Sequence, residues 1–433
     1  MDTQEYARRR RALMRMMGED AIAILPAAPH AVRNRDVEYP YRQDSDLLYL
    51  TGFPEPEAVA VLVPGRDHGE FVLFTRERDP EREVWNGRRA GIDGAIERWG
   101  TDDAFPIGDI DDILPGLIEG RSRVFCTMGR YADFDRRVMQ WVNDVRGRAR
   151  SGGHAPNEFI ALDYFLHDMR LFKSRDELRA MRRAAKISMT AHERALKTCR
   201  PGLPEYALEA EFWHEFRRNG AEPAYGLIVG GGRNACVLHY VENADTLRDG
   251  DLVLIDAGCE SDGYAADITR TFPVNGRFTD AQRAVYDIVL EAQRAALARC
   301  EPGRHWNQPH EAALRVLTQG MVDLGLLAGP ADARIEDESY KRFFMHRTGH
   351  WLGMDVHDVG DYKVDGDWRE LEPGMCLTIE PGLYIPAADD VPVHLHDIGV
   401  RIEDDLLITK DGSENLTDGL PKAADDIEAM MRG

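Results

Sequence analysis

An apolar run that ends in a carboxylate places the strongest constraint on this chain. Residues 251–258 read Asp-Leu-Val-Leu-Ile-Asp-Ala-Gly, which predicts a buried strand that closes on Asp256. The next predicted strand, residues 264–272, brings a second carboxylate, Asp267. A buried aspartate is unfavourable unless it is paired or bound to a metal, and no cation lies beside Asp256 in the chain. Either aspartate alone is typical of a capping or ion-paired residue, but two on adjacent strands favour a metal site.

Two glutamates occur later in similar settings. Glu380 directly follows the apolar run 375–379, and Glu403 lies in Gly-Val-Arg-Ile-Glu-Asp-Asp, residues 399–405. With a strand period of two, Arg401, Glu403 and Asp405 share one face. A salt bridge from Arg401 is therefore an alternative to a metal-binding role for Glu403.

Three histidines, His346, His350 and His357, lie within twelve residues. The four-residue step between the first two is that of the zinc motif H-E-x-x-H, but Arg347 stands where the motif requires glutamate. Gly349 also weakens a helix there. We therefore exclude this zinc motif. A single histidine is more often a core residue than a ligand, whereas three so close together favour a site.

Four carboxylates and one imidazole form a hard, oxygen-dominated donor set. Such a set suits a pair of Mn²⁺-like ions better than structural zinc held by thiolates. Two metals about 3.5 to 4 Å apart share a hydroxide and polarise an amide carbonyl, so hydrolysis is the expected reaction class. We refer to these residues as the five candidate ligands: Asp256, Asp267, His350, Glu380 and Glu403.

The 433 residues exceed one core of ordinary size, and the periodicity of the chain changes near residue 170. Before that point, helices such as 2–17 alternate with predicted strands, among them 47–51 and 71–75, which predicts an α/β domain. A Gly-rich basic stretch at 146–156 interrupts this pattern. We place the domains at residues 1–170 and 171–433.

The second domain is predicted to be α+β with two similar halves. Capping boxes, Ser174 with Glu177 and Thr279 with Gln282, begin two of its helices. Helical and strand-rich stretches then alternate through the domain, with strands near 375–380 and 399–409 at its end.

The net charge of −22 disfavours a nucleic-acid partner, because phosphate backbones are bound by clustered lysine and arginine. The first 18 residues are highly charged and lack the apolar region of a signal peptide, and no apolar run approaches membrane-spanning length. The six cysteines have no CxxC spacing, which is typical of reduced thiols. We predict a cytoplasmic protein with no membrane or nucleic-acid partner.

The five candidate ligands, in this order, resemble those of the pita-bread metallopeptidases, specifically aminopeptidase P and its relative prolidase. Their contexts are IDAG, DITRTFP, GHWLGMDVHD, EPGLY and RIEDD. Residues 38–46 and 49–58 look like the aminopeptidase P N-terminal domain. The resemblance covers nearly the whole chain. It implies an α/β N-terminal domain and an α+β pita-bread catalytic domain with pseudo-twofold halves.

The same resemblance implies two divalent ions per chain, usually Mn²⁺, with Co²⁺ or Zn²⁺ as alternatives. Asp256 would be bidentate on one ion. Asp267 and Glu403 would bridge both ions, and His350 and Glu380 would hold the other. A hydroxide that bridges the metals would attack the peptide carbonyl, and Glu380 would relay a proton to the leaving nitrogen.

Further site residues are implied around the substrate. His357 would donate to the oxyanion, His239 would orient the substrate near the scissile bond, and His346 would contact the proline. Arg401 would orient the ligand carboxylates, and Tyr384 would complete the substrate site.

Trp85 matches a family motif in the N-terminal domain and would line the proline pocket from a neighbouring subunit, with a buried aromatic as the alternative. Arg347 stands where relatives often carry small or apolar residues. It would place a cation at the pocket mouth and change the preference for peptide length or charge. His394 and His396 are more typical of a solvated loop than of a substrate contact.

The resemblance predicts an aminopeptidase that releases the N-terminal residue from peptides with proline in the second position. The bond to a proline nitrogen has no N–H, so a pocket shaped for the ring must replace that contact. Prolidase, which is restricted to dipeptides, is the nearest alternative, and residues 39–44 favour the aminopeptidase. A non-catalytic peptide- or protein-binding module on the same fold is disfavoured by the presence of all five ligands. A homodimer or homotetramer is expected.

Overall fold

The computed structural model describes residues 2–432, which fall into two compact units. The first unit runs to Met169 and the second begins at Arg170. The domain limits inferred from the sequence, 1–170 and 171–433, stay a prediction, because compactness alone does not show that each part folds by itself. None of the helices in the described residues is long and apolar enough to cross a membrane.

The described part of the first unit has eight strands, and six of them form one mixed sheet. Its strands are β1 (Ala21–Pro26), β2 (Val32–Asn34), β3 (Val37–Glu38), β4 (Val59–Leu62), β5 (Phe71–Thr75), β6 (Asp103–Pro106), β7 (Arg123–Cys126) and β8 (Glu158–Ala161). Its helices are α1 (Thr3–Met17), α2 (Ser45–Thr51), α3 (Pro80–Asn86), α4 (Gly91–Trp99), α5 (Ile110–Ile118) and α6 (Ala132–Gly147), and α7 (Asp163–Leu171) follows. The order across the sheet is β6-β5-β4-β1-β7-β8, and β2 pairs with β3 separately.

The central strand β1 is buried along its whole length, which explains its continuous apolar sequence. It runs parallel to β7 and antiparallel to β4. Leu114 of α5 and Trp141 of α6 pack in the same core as Ile22 and Val61 of the sheet. The predicted α/β class of this part is therefore confirmed.

The strand predicted at 47–51 is wrong, because these residues form helix α2. Asp44 caps the helix by accepting from the amides of Asp46 and Leu47, and Gly52 ends it in the left-handed conformation at φ 66°. A short apolar run does not distinguish a buried helix from a buried strand, so the caps decided the outcome.

The second unit alternates helix pairs with antiparallel strands. Its helices are α8 (Arg175–Thr198), α9 (Glu205–Arg218), α10 (Asp280–Leu297), α11 (Asn307–Asp323), α12 (Ala331–Glu336) and α13 (Ala424–Arg432). The strands of its first half are β9 (Glu222–Pro223), β10 (Ile228–Gly231), β11 (Leu252–Asp256), β12 (Cys259–Ser261), β13 (Tyr264–Ala265) and β14 (Thr269–Pro273). Those of its second half are β15 (Lys363–Val364), β16 (Asp367–Trp368), β17 (Cys376–Ile379), β18 (Gly382–Ile385), β19 (Ile398–Arg401), β20 (Asp404–Thr409) and β21 (Gly412–Asn415).

The two halves repeat one arrangement, as the sequence predicted. Helices α8 and α9 precede the sheet β10-β11-β14, and helices α10 and α11 precede the sheet β17-β20-β21. Both predicted capping boxes are present, at Ser174 with Glu177 and at Thr279 with Gln282. The fold class is therefore confirmed.

Two segments predicted as single strands are interrupted, and the interruptions matter for the site. The segment 264–272 divides into β13 and β14, with Asp267 in the break. The segment 399–409 lies in β19 and β20, with Glu403 in the break. Each carboxylate thus leaves the regular side-chain alternation of a strand, and Glu403 donates its amide to the carbonyl of Thr269 at 3.1 Å.

Candidate metal centre

Each half of the second unit brings two carboxylates to one end of a pair of antiparallel strands. Asp256 is the last residue of β11, and Asp267 lies two residues before its partner β14. Glu380 directly follows β17, and Glu403 directly precedes the paired strand β20. The four carboxylates that the sequence analysis selected therefore come from corresponding places in the two halves.

His350 is held against β17 by its backbone. Its carbonyl accepts from the amide of Thr378 at 2.9 Å, and its amide donates to Thr378 Oγ1 at 3.1 Å. A Cβ on the preceding residue, Gly349, would lie 2.0 Å from Thr378 O. Only glycine allows this close approach. The glycine that argued against a helix at this position is therefore required by the packing of residue 349 against β17.

The ring of His350 completes the cluster. Its Nδ1 lies 2.9 Å from Trp351 O, and donation to that carbonyl leaves Nε2 as the atom for the carboxylates. Nε2 lies 3.3 Å from Asp267 Oδ2 and 3.7 Å from Glu380 Oε1. One ligand atom from each of Asp267, His350 and Glu403 lies within 4.8 Å of the others, which is close enough to share an ion.

Tyr225 links the two aspartates and was not identified from the sequence. Its hydroxyl oxygen lies 2.6 Å from Asp256 Oδ1 and 2.5 Å from Asp267 Oδ1. The residue lies between β9 and β10, outside any periodic pattern, so no signal in the sequence connects it with the carboxylates.

Arg401 joins three groups of the site through its guanidinium. Nη2 donates to Asp256 Oδ2 at 2.7 Å, Nη1 to Tyr384 Oη at 2.9 Å and Nε to Thr269 Oγ1 at 3.1 Å. Thr269 in turn donates to Glu403 Oε2 at 2.7 Å. The strand period had offered a salt bridge between Arg401 and Glu403 as the alternative to metal binding by Glu403. The structure corrects this partner to Asp256, because the strand is interrupted between Arg401 and Glu403.

The electrostatics of the cluster show a deficit of positive charge. Burial raises the pKa of Glu380 to about 7, although His350 and Arg401 act against it. Burial and the neighbouring carboxylates also raise the pKa values of Asp267 and Glu403. Burial alone would lower the pKa of His350, but its hydrogen bond to Asp267 and the nearby negative charges raise it to about 9. A buried, oxygen-rich set that retains protons in this way fits divalent cations.

Three histidines line the same cavity, of about 900 Å³, as the five candidate ligands. The ring centroid of His357 lies 4.3 Å from that of His350. His239 is exposed in the loop after the short 3-10 turn Gly232–Cys236. His346 Nδ1 lies 3.7 Å from Glu380 Oε2. The structure therefore brings together every histidine that the sequence analysis assigned to the cleft.

Other predicted residues lie elsewhere. Tyr384 is buried behind His346, with its hydroxyl 2.8 Å from His346 Nε2. Trp85, in α3 of the first unit, is 86% exposed, so the alternative of a buried aromatic is wrong. His394 is exposed, and His396 contacts Val391 O of its own loop at 2.9 Å.

The fold and this cluster define a metal-dependent peptidase of known type. Residues 179–410 match the model of metallopeptidase family M24, and residues 6–125 match that of the aminopeptidase P N-terminal domain. The chain belongs to metallopeptidase family M24, as the sequence predicted.

Individual relatives agree over nearly the full length. The chain is 49% identical to Xaa-Pro aminopeptidase of Escherichia coli (strain K12), and the matched region covers 99% of this chain and 97% of the relative. Among solved structures, Pseudomonas aeruginosa aminopeptidase PepP is 62% identical with a TM-score of 0.99, over 100% of this chain and 98% of the other. Aminopeptidase P from Escherichia coli with the inhibitor Pro-Leu has a TM-score of 0.97 at 49% identity, with the same coverage.

Proposed function

We propose that this chain is a dinuclear-metal hydrolase that releases the N-terminal residue from peptides with proline in the second position. The observation that carries the proposal is one cavity lined by all five candidate ligands and by His239, His346 and His357. The substrate class follows the relatives, which are named Xaa-Pro aminopeptidase.

The five candidate ligands would hold two divalent ions, with Mn²⁺ favoured by the hard donor set and Co²⁺ or Zn²⁺ as alternatives. A zinc-substituted structure of Escherichia coli aminopeptidase P is among the similar ones. Ions bound there would polarise the scissile carbonyl and lower the pKa of a water molecule. The remaining steps belong to side chains of this protein.

Glu380 is placed to move the proton. It lines the cavity, with its Oε1 3.7 Å from His350 Nε2 and its Oε2 3.7 Å from His346 Nδ1. A carboxylate in this position takes a proton from the attacking water and delivers it to the proline nitrogen. His357 and His239 project from the cavity wall, where they would donate to the oxyanion and orient the substrate.

His346 is held in one tautomer by its neighbours. Arg401 can only donate to Tyr384 Oη, so the Tyr384 hydroxyl keeps its proton for His346 Nε2. Nδ1 then carries the proton of the ring and donates it to Arg347 O at 2.7 Å. Burial lowers the pKa of His346 to about 4, so the imidazole stays neutral. A neutral ring with both nitrogens occupied offers its carbon edge to an apolar proline ring.

Prolidase activity is the alternative, and the aminopeptidase P N-terminal domain supports the aminopeptidase. We also propose that exposed Trp85 contributes to the proline pocket of a neighbouring copy in a homodimer or homotetramer. The cytoplasmic location stays a prediction.

The proposal is tested with purified, Mn²⁺-loaded protein and three matched substrates, which are Xaa-Pro-Yaa, Xaa-Ala-Yaa and the dipeptide Xaa-Pro. We expect Xaa-Pro-Yaa to exceed Xaa-Ala-Yaa by about 100-fold in kcat/KM, because one pocket selects the ring. A chelator should abolish the activity and Mn²⁺ should restore it. The Glu380→Gln variant should lose about 10² to 10⁴-fold in kcat. Cleavage of Xaa-Pro dipeptides alone would assign prolidase, and no cleavage of any of these peptides would refute the proposed function.

A further inference from the structure

Two cations approach one indole ring on the wall of the cavity. The guanidinium carbon of Arg347 lies 5.2 Å from the ring centroid of Trp368, and Lys363 Nζ lies 4.5 Å from it. All three side chains line the cavity that contains the five candidate ligands. We call them the Arg347–Lys363–Trp368 cluster. The cavity thus has carboxylates in one part and two cations in another.

The β-hairpin of β15 and β16 fixes this cluster. Lys363 and Trp368 are directly paired across the two strands. The Asp-Gly turn at 365–366 has φ values of 53° and 93°, which suit a tight two-residue hairpin turn. Next to the hairpin, Tyr362 stacks on buried Trp351 with ring centroids 5.5 Å apart and an interplanar angle of 3°. The cations are therefore presented on an anchored element.

Neither cation forms an ion pair with an acidic group in the described residues, although the charge of Glu311 acts on Arg347 and opposes the lowering of its pKa by burial. Among residues 2–432, no carboxylate oxygen lies within 4.0 Å of the charged nitrogens of Arg347 or Lys363. Arg347 Nη2 donates to the amide oxygen of Asn307, a neutral partner. Arg342, by contrast, pairs with the carboxylate of Asp390. Two cations without an ion-pair partner, in a cavity of a chain with net charge −22, are positioned to bind an anion.

The surface beyond Trp368 has the opposite charge. A neighbouring cavity of about 780 Å³ shares the Trp368 wall. Its lining contains one arginine, Arg369, and four acidic residues, which are Glu311, Asp367, Glu370 and Glu372. Asp361 lines the main cavity as well. A substrate carboxylate that points away from the five candidate ligands would therefore meet favourable charge at Arg347 and Lys363. Further out it would meet unfavourable negative charge.

The position proposed for the proline brings the cluster within reach of the residues that follow it. His346, which would contact the proline, is the residue that precedes Arg347 in the chain. Residues after the proline would therefore lie near the cluster. Two extended residues span roughly 7 Å, so the carboxylate of a tripeptide ends a short way beyond the scissile bond.

We propose that Arg347 and Lys363 bind a carboxylate of the substrate on the far side of the proline, which rests on the function proposed above. In short Xaa-Pro-Yaa peptides this group is the C-terminal carboxylate. In longer peptides an acidic side chain after the proline supplies the same chemistry. The cluster is therefore a specificity determinant that favours short or acidic peptides.

The first experiment compares Xaa-Pro-Yaa as the free acid and as the C-terminal amide, with the wild-type protein. We expect the acid to have about a tenfold higher kcat/KM, the value of one charge-assisted contact. The ratio should fall as NaCl rises from about 0.05 to about 0.5 M, because salt screens the contact. Longer peptide amides with glutamate or glutamine after the proline measure the side-chain source separately.

The second experiment measures the same acid-to-amide ratio in Arg347→Gln, Lys363→Gln and the double variant. The ratio should fall in each single variant and approach one in the double variant. Lys410→Gln, which removes an exposed cation in the turn between β20 and β21, should keep the wild-type ratio. A wild-type ratio of one, or a tenfold ratio that persists in the double variant, would overturn the inference. Failure to cleave either peptide would instead refute the proposed function itself.

Discussion

At the scale of single residues, Arg401 determines how the acidic site is held. Its planar guanidinium reaches Asp256, Tyr384 and Thr269 at once, and through the last of these it reaches Glu403. A compact ammonium cannot span three acceptors in fixed directions. Arg401 is therefore a positioning residue for candidate ligands from both halves of the second unit.

We predict that Arg401→Lys lowers the affinity for Mn²⁺ by about 10 to 100-fold, because the orientation of Asp256 and Glu403 is lost. Isothermal titration calorimetry of the metal-free protein measures this affinity directly. The matched control is Arg182→Lys, since Arg182 is exposed in α8 and pairs with Glu414 at 2.7 Å. An unchanged Mn²⁺ affinity in Arg401→Lys would contradict the positioning role.

At the scale of elements, the interrupted strands are held by two buried aspartates at the start of β20. Asp405 accepts from the amide of Asp267 at 3.2 Å through both oxygens. Asp404 accepts from Arg270 at 2.8 Å and from Lys422 at 2.5 Å. The two breaks therefore depend on one polar network that joins β14, β20 and the C-terminal segment.

We predict that Asp404→Asn lowers the free energy of unfolding of the second unit by about 3 to 5 kcal/mol near neutral pH, because the charge of buried Arg270 loses its partner. Burial alone would raise the pKa of Asp404, but Arg270 and Lys422 lower it from 3.8 to about 2. A lowered pKa means that the charged carboxylate stabilises the fold above its unfolded pKa. This contribution is lost as the pH falls towards 2.

The difference between wild type and Asp404→Asn should therefore narrow between about pH 4 and about pH 2. Denaturant unfolding of both proteins at several pH values measures it. Asp425→Asn is the control, because Asp425 is 82% exposed in its pair with Arg283 and should change stability little. A difference that stays constant over this pH range would show that the carboxylate charge is not the cause.

At the scale of the whole molecule, the two units carry different kinds of surface. All five candidate ligands and their cavity belong to the second unit. The first unit exposes an apolar pair in α3, with Val84 81% and Trp85 86% accessible. Large exposed aromatic residues are typical of contacts with another protein surface.

We predict that sedimentation of the wild-type protein gives a species larger than the 48.9 kDa chain. Trp85→Ala should shift the protein towards smaller species and raise KM for Xaa-Pro-Yaa, since the aromatic wall would come from a neighbouring copy. Tyr164→Ala is the control, because Tyr164 is 75% exposed in the same unit. A wild-type monomer, or an unchanged KM in Trp85→Ala, would contradict this prediction.

The sequence by itself determined features that depend on a few neighbouring residues. Capping boxes at Ser174 and Thr279 set the starts of α8 and α10, and the apolar run before Asp256 gave β11. The order of the five candidate ligands and their local contexts was enough to identify the family. Hydrogen bonds of caps, strand alternation and motif spacing act within one or two turns of chain, so they can be read locally.

Tertiary packing alone decided which distant groups meet. The breaks at Asp267 and Glu403 replaced the continuous strands that the sequence predicted. Arg401 found Asp256, which lies 145 positions away, and Tyr225 came between two aspartates without any signal in its own segment. These contacts depend on how β11, β14, β19 and β20 pack, because burial sets which charges must be paired, and no local pattern encodes the partner.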